Sequence, residues 1–169
     1  PLLAVLSQQA IPAHASNGWY PARSPDAQYS GVWTFSEIGA DIGWLRDSRL
    51  RFTFSGSDIA LLLRQDDYVA HLYVTVDGRP ANALPRDAYG NSYLVLSSGS
   101  RSPVFGPVLV AHGLPKGTHV VELVADQGFD RYALVGFAVG SGDIAKTFDA
   151  WVTGAMFAVI AGVTAVVAT

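Results

Sequence analysis

A chain of 169 residues with a net charge of −3 and only 15% charged residues lacks the clustered Lys and Arg that a phosphate backbone demands, which excludes nucleic acid as a partner. It has no cysteine, so disulfides, thiolate metal sites and a cysteine nucleophile are excluded too. Half of the residues are hydrophobic, and much of the excess sits in the last 19, so one domain plus an apolar appendage is expected.

Residues 1–28 read as a leader and an irregular segment. The apolar run at 2–6 is too short for an intact signal peptide and lacks a basic start. N-G-W-Y-P-A-R-S-P at 17–25 is punctuated by Gly and two Pro. The start at Pro1 and an end inside an apolar run lead us to expect that both ends were cut from something longer. Residues 29–35 read as a strand packed through Val32, Trp33 and Phe35. Residues 38–45, broken by Gly39 and Gly43, read as a loop that tucks Ile42 and Trp44 into the edge of the core.

Regular strand material follows. Residues 49–55 alternate Arg49, Arg51 and Thr53 outward against Leu50, Phe52 and Phe54 inward. Residues 59–63 are apolar throughout, as a central strand covered on both faces must be. In D-Y-V-A-H-L-Y-V-T-V-D-G-R-P (67–80), Tyr68, Ala70, Leu72, Val74 and Val76 share one side and Val69, His71, Tyr73 and Thr75 the other, a strand over 69–76. Asp77-Gly78 then supplies a tight turn. Residues 80–91 read as a loop, 93–96 as a short strand and 97–103 as an exposed turn. Residues 104–111 form a strand whose Gly106-Pro107 marks an edge or a bulge. After a turn at 113–117 come a strongly β-forming run (118–126), a polar loop (127–131) and a last strand (132–139). About eight short strands at roughly ten-residue spacing, without an amphipathic helix, indicate an all-β fold: an antiparallel jelly-roll β-sandwich over 29–140. Residues 141–150 read as a linker.

The tail at 151–169 holds no charged residue. As a helix it would span roughly 28 Å, close to the hydrocarbon thickness of a bilayer, so it reads as a transmembrane helix. Gly154, Ala158 and Gly162 leave a small-residue groove along it, the kind of face on which membrane helices pack.

From about 49 to 140 the chain resembles the jelly-roll, galactose-binding-like domain that precedes the catalytic domain of family 2 carbohydrate esterases. The resemblance rests on F-T-F-S-G-S-D-I-A-L-L (52–62), Y-V-T-V-D-G (73–78), G-L-P-K-G-T-H-V-V-E-L (113–123) and G-F-A-V (136–139). It covers about half of the chain and implies a jelly roll on the extracytoplasmic side. It also implies a structural role for His119, in the G-T-H piece. The esterase activity is not carried over, because these residues contain neither a G-x-S-x-G elbow nor an α/β unit.

Candidate sites follow from residue chemistry. His14, His71, His112 and His119 lack metal-type spacing. Asp66, Asp67, Asp126 and Asp130 lie at loop ends that one rim of a jelly roll could gather, where hard oxygen ligands would suit a structural calcium; no other cofactor is expected. Sugar binding needs flat aromatic faces with polar groups beside them. Trp19, Tyr20, Trp44, Tyr68, Tyr89, Phe129 and Tyr132 supply the rings in or beside loops, and Asp66, Asp67, Arg86, Asp87, Asn91, Asp130 and Arg131 the polar groups. The expected ligand-binding set is Asp66, Asp67, Tyr68, Arg86, Tyr89, Phe129, Asp130 and Arg131, on the loops after 63, 80 and 126. Two functions compete. The first is a non-catalytic, membrane-anchored extracytoplasmic sandwich acting as an accessory subunit, its helix packing on other membrane subunits through Gly154, Ala158 and Gly162. The alternative is a membrane-anchored carbohydrate-binding module cut from a larger surface enzyme. The first is the favoured expectation.

Overall fold

The computed structural model describes residues 14–42, 48–67, 70–98, 103–127, 132–142 and 144. Among the described residues twelve strands run in chain order: β1 (Gly18–Pro21), β2 (Ala27–Ser30), β3 (Trp33–Ser36), β4 (Gly39–Ile42), β5 (Arg49–Ser55), β6 (Asp58–Gln65), β7 (His71–Val76), β8 (Arg79–Pro80), β9 (Tyr93–Val95), β10 (Val104–Ala111), β11 (Thr118–Gln127) and β12 (Leu134–Gly140). They form two antiparallel sheets. The first has the order β10-β6-β12-β4-β3 with β1 also on β12, and the second β2-β5-β11-β7-β8 with β9 also on β7.

The two-residue periods of the sequence become the core. Leu50, Phe52 and Phe54 of β5, Leu72, Val74 and Val76 of β7, and Val121 and Leu123 of β11 point inward from the second sheet. They meet Ile59, Leu61 and Leu63 of β6 and Phe137 and Val139 of β12. Phe52 and Phe137 stack across the interface with centroids 3.9 Å apart and planes 4° apart. Strand β6 lies between β10 and β12, and its apolar run is explained from both sides. Leu61 and Leu63 enter the core, while Ala60 and Leu62 pack on the other face with Ala138 and Ile144.

Turn chemistry also follows the sequence. Asp77 and Gly78 both take positive φ, 52° and 73°, as a primed hairpin turn between β7 and β8 requires. Strand β10 stands at a sheet edge and carries a bulge between Leu109 and Ala111. That edge is sewn to the second sheet. The Ala83 amide donates to the Val110 carbonyl at 3.1 Å, and Asn82 exchanges two hydrogen bonds with the His112 backbone.

The N-terminal third departs from expectation. Residues 17–25 are not wholly irregular, since β1 pairs with β12 from Gly18↔Val139 to Pro21↔Gly136. Residues 29–35 are not one strand. Strand β2 lies in one sheet and β3 in the other, and the chain changes sheets at Gly31, with φ +88 and a Cβ position 2.8 Å from Ser48 Cα that only Gly tolerates. Residues 39–42 are not a loop but β4, in a hairpin with β3. Four-residue strands are too short to show a period, and it is their pairing partners that make them strands. The expected membrane helix, with Gly154, Ala158 and Gly162, lies outside the described residues, as does Trp44. Among the described residues no helix is long and apolar enough to cross a membrane.

Candidate binding site

Strand β12 changes partner along its length. Leu134 pairs with Ala40 of β4, whereas Gly136, Phe137, Ala138 and Val139 pair with β1. The change is built on two glycines. A Cβ at Gly39 would lie 2.5 Å from the Leu134 carbonyl oxygen, and one at Gly136 would strike the Tyr20 carbonyl. Strand β1 and the β3–β4 hairpin therefore diverge from a common strand. Between them opens a cleft of about 540 Å³, lined by Trp19, Arg23, Phe35, Glu37, Ile38 and Val135 among others.

Local bonding fixes each wall. The Ala22 amide donates to the Val135 carbonyl at 3.0 Å and the Ser24 amide to the Pro21 carbonyl at 2.9 Å, which holds the turn that carries Arg23. The Arg23 guanidinium lies 5.2 Å from the centroid of the Phe35 ring, in reach of a cation–π contact. Phe35 is held from another side by Tyr29, edge-on at 4.9 Å and 90°. The Tyr29 hydroxyl donates to the Ala22 carbonyl, and burial raises its pKa well above the ordinary tyrosine value. The Ile38 amide donates to Ser36 Oγ at 3.2 Å, setting the turn that carries Glu37 and Ile38. Trp19 and Ile38 stay 43% and 49% exposed. The cleft thus combines an indole and an aliphatic surface with a guanidinium, a carboxylate and a hydroxyl. That set suits a flat ligand with apolar faces and a hydroxylated rim.

The expected residues that are described fall elsewhere. Asp66 and Asp67 stand where β6 ends. Asp66 bridges to Ser97, the Ser98 amide donates to the Asp66 carbonyl at 2.8 Å, and the Asp67 amide donates to the Asp66 carboxylate at 2.9 Å. Arg86 bridges to Ser92 in the loop beside β9. Tyr89 stands at the tip of that loop, 90% exposed. Asp87 shapes the tip, its carboxylate accepting the amides of Tyr89 and Asn91, each at 2.9 Å. Burial alone would raise the Asp87 carboxyl, but these amides and the Asn91 side chain hold it below the usual carboxylate range. The two groups are therefore separate, one at an end of the sandwich and one on its β7–β10 flank. The cleft lies on the opposite flank. Tyr68, Phe129, Asp130 and Arg131 lie outside the described residues. Trp19 was among the aromatic candidates; Arg23, Glu37 and Ile38 were not, because β1 and β4 were read as irregular chain, and Phe35 was read as a packing residue of a strand over 29–35.

Two buried ionisable groups, His119 and Asp58, tie turns together. His119 places Nδ1 2.6 Å from Asp77 Oδ2 and Nε2 2.8 Å from the Pro115 carbonyl oxygen. A carbonyl only accepts, so Nε2 carries a proton, and the ring ties two turns together. Burial would lower the His119 pKa, yet Asp77 and the Pro115 carbonyl outweigh it and raise it above the usual value. Asp58 accepts the Ser57 hydroxyl at 2.8 Å, the Gly113 amide at 2.9 Å and the Gly142 amide. Burial would raise its pKa, but the two amides lead the bonds that bring it below the usual range. Among the described residues no group of three or more His, Asp or Glu is placed to hold a metal ion.

No family model matches the chain, and no curated protein matches it. Solved structures do. A family two carbohydrate esterase from Cellvibrio japonicus is similar with a TM-score of 0.55 at 16% identity, over 73% of this chain and 33% of that one. A two-domain esterase active on acetylated mannans, co-crystallised with mannopentaose, is similar with a TM-score of 0.57 at 14% identity, over 73% of this chain and 36% of that one. The likeness is one of fold: an all-β sandwich. The chain spans about a third of the length of these esterases. A family 6 carbohydrate-binding module is matched more loosely, with a TM-score of 0.42 at 12% identity, over 77% of this chain and 98% of that one.

Proposed function

We propose that this sandwich is a non-catalytic carbohydrate-binding module that takes neutral sugar residues of a polysaccharide in the Trp19 cleft. The cleft itself carries the reading. A pyranose presents C–H groups on its faces and hydroxyls around its rim, and the cleft offers Trp19 and Ile38 for the first and Arg23, Ser36 and Glu37 for the second. The likeness in fold to an esterase co-crystallised with mannopentaose supports the ligand class. The charge-free run at 151–169 supports a membrane tether, with the sandwich extracytoplasmic as the resemblance to surface modules implies. The accessory-subunit alternative rests on Gly154, Ala158 and Gly162, outside the described residues, and the cleft favours sugar binding over it.

The test is calorimetric titration of the full chain, in mild detergent, with neutral oligosaccharides including mannopentaose. Trp19→Ala should weaken binding about tenfold, the worth of one lost ring contact together with its buried area. Its melting temperature should hardly move, because Trp19 is 43% exposed. Absence of binding across the panel, or equal binding by Trp19→Ala, overturns the proposal.

A further inference from the structure

The outward face of the second sheet carries a group of side chains that the cleft does not use. Strand β7 buries Leu72, Val74 and Val76, so its two-residue period turns His71, Tyr73 and Thr75 away from the core. Register then fixes their neighbours. Tyr93 of β9 stands opposite Tyr73 on one side. On the other, Val124 of β11 stands opposite Tyr73 and Arg49 of β5 opposite Val124. With strands about 4.8 Å apart, Tyr93, Tyr73, Val124 and Arg49 make a line roughly 14 Å long. The rings of His71 and Tyr93 lie nearly parallel, 14° between planes and 5.6 Å between centroids. In the next row Glu122 stands between Thr75 and Arg51.

The Glu122 carboxylate lies 3.2 Å from Arg49 Nη1 and 3.5 Å from Arg51 Nε, while the two Arg side chains remain 49% and 58% exposed. One carboxylate thus serves two guanidiniums. Each guanidinium has five N–H donors in a fixed fork, so both keep donors for a further anion, and Glu122 holds them in place. An aromatic strip of three rings stands beside this pair, with Val124 between Tyr73 and Arg49.

We infer that this face is a second binding surface, for an anionic polysaccharide. Its sugar rings lie along His71, Tyr93 and Tyr73, and a carboxylate or sulfate on the chain takes the remaining donors of Arg49 and Arg51. The surface stands on a different sheet from the cleft and does not depend on the neutral-sugar reading.

Affinity electrophoresis of the full chain in mild detergent tests it, in gels containing polygalacturonate, dextran sulfate or neutral mannan. Polygalacturonate or dextran sulfate should retard the protein, and whichever does so tells carboxylate from sulfate recognition. Retardation should fade with added salt. Arg49→Gln/Arg51→Gln should weaken it about tenfold or more, the worth of a hydrogen bond to a charged group, Tyr73→Ala should weaken it too, and Trp19→Ala should leave it unchanged. Glu122→Gln, which removes the competing carboxylate and keeps both Arg, should strengthen it and serves as the readout should the double variant unfold. The inference is overturned by no retardation in either anionic gel, or by retardation that is unchanged in the Arg and Tyr73 variants. Mannan retardation weakened by Trp19→Ala reports on the cleft alone, so the two surfaces fail or stand separately.

Discussion

Replacing Asp58 by Ala should cost this fold measurable stability. Asp58 opens β6 with 4% exposure, and its carboxylate gathers three separate turns by accepting from Ser57, Gly113 and Gly142. The variant strands the amides of Gly113 and Gly142. A hydrogen bond to a charged group contributes about 1.5–3 kcal/mol, and an amide left without a partner costs about 1–3 kcal/mol. Both turns lie near the surface, where water reaches them and recovers part of that cost. The expected loss is therefore about 2–4 kcal/mol at pH 7, or roughly 5–15 °C in melting temperature for a domain of this size. The difference should also depend on pH. The folded Asp58 pKa lies below its unfolded value, so its contribution is complete above the ordinary carboxylate range and is lost as pH falls through the folded pKa. Urea unfolding of both proteins from pH 7 down to pH 3 measures this, and the gap should narrow in acid. A gap under about 1 kcal/mol at pH 7, or one constant with pH, would refute the account of Asp58 as the tie between these turns.

Two further outcomes follow from the same structure. His119 has a raised folded pKa, so its contribution is complete below the unfolded value near 6.5 and is lost as pH rises through the folded pKa; urea midpoints between pH 6 and pH 9 should fall for the native chain and stay flatter for His119→Asn. Phe137 is fully buried and stacked 3.9 Å from Phe52, so Phe137→Ala should lose about 3–5 kcal/mol in chemical denaturation, and a loss under 1 kcal/mol would mean that the two sheets do not meet there.

The part of the fold that sequence alone makes legible is the part where burial is written in a period. Strands β5, β6, β7, β10, β11 and β12 fall within about two residues of the runs that predict them, because each spans six residues or more and its apolar side chains are the core itself. The continuous run in β6 has the cause that sequence logic assigns to it, since Ala60 and Leu62 pack outward as Leu61 and Leu63 pack inward. His119 is legible for a different reason. The G-T-H resemblance implies a structural role, and the ring indeed sits buried between Asp77 and Pro115.

The candidate site is less legible because its cause is a pairing and not a pattern. Trp19 belongs to a strand only because β12 has a free partner position beyond Leu134, and that position exists only because Gly39 lets β4 approach at one point and Gly136 lets β1 approach at the next. Gly39 looks no different in sequence from a glycine that marks a loop, and 38–45 was read as one for that reason; Gly136 falls inside the run read as the last strand, where nothing in the pattern shows that it admits β1. Polar loops, by contrast, advertise themselves. Asp66, Asp67, Arg86 and Tyr89 stand out in sequence as polar or aromatic residues of loops, yet register spreads them over an end and a flank of the sandwich. A recess on a β-sandwich needs elements that part from a shared neighbour. Among the described residues the fork on β12 does this beside an aromatic and two opposite charges, so glycines that permit close strand approach are the better guide to this site than exposed charges.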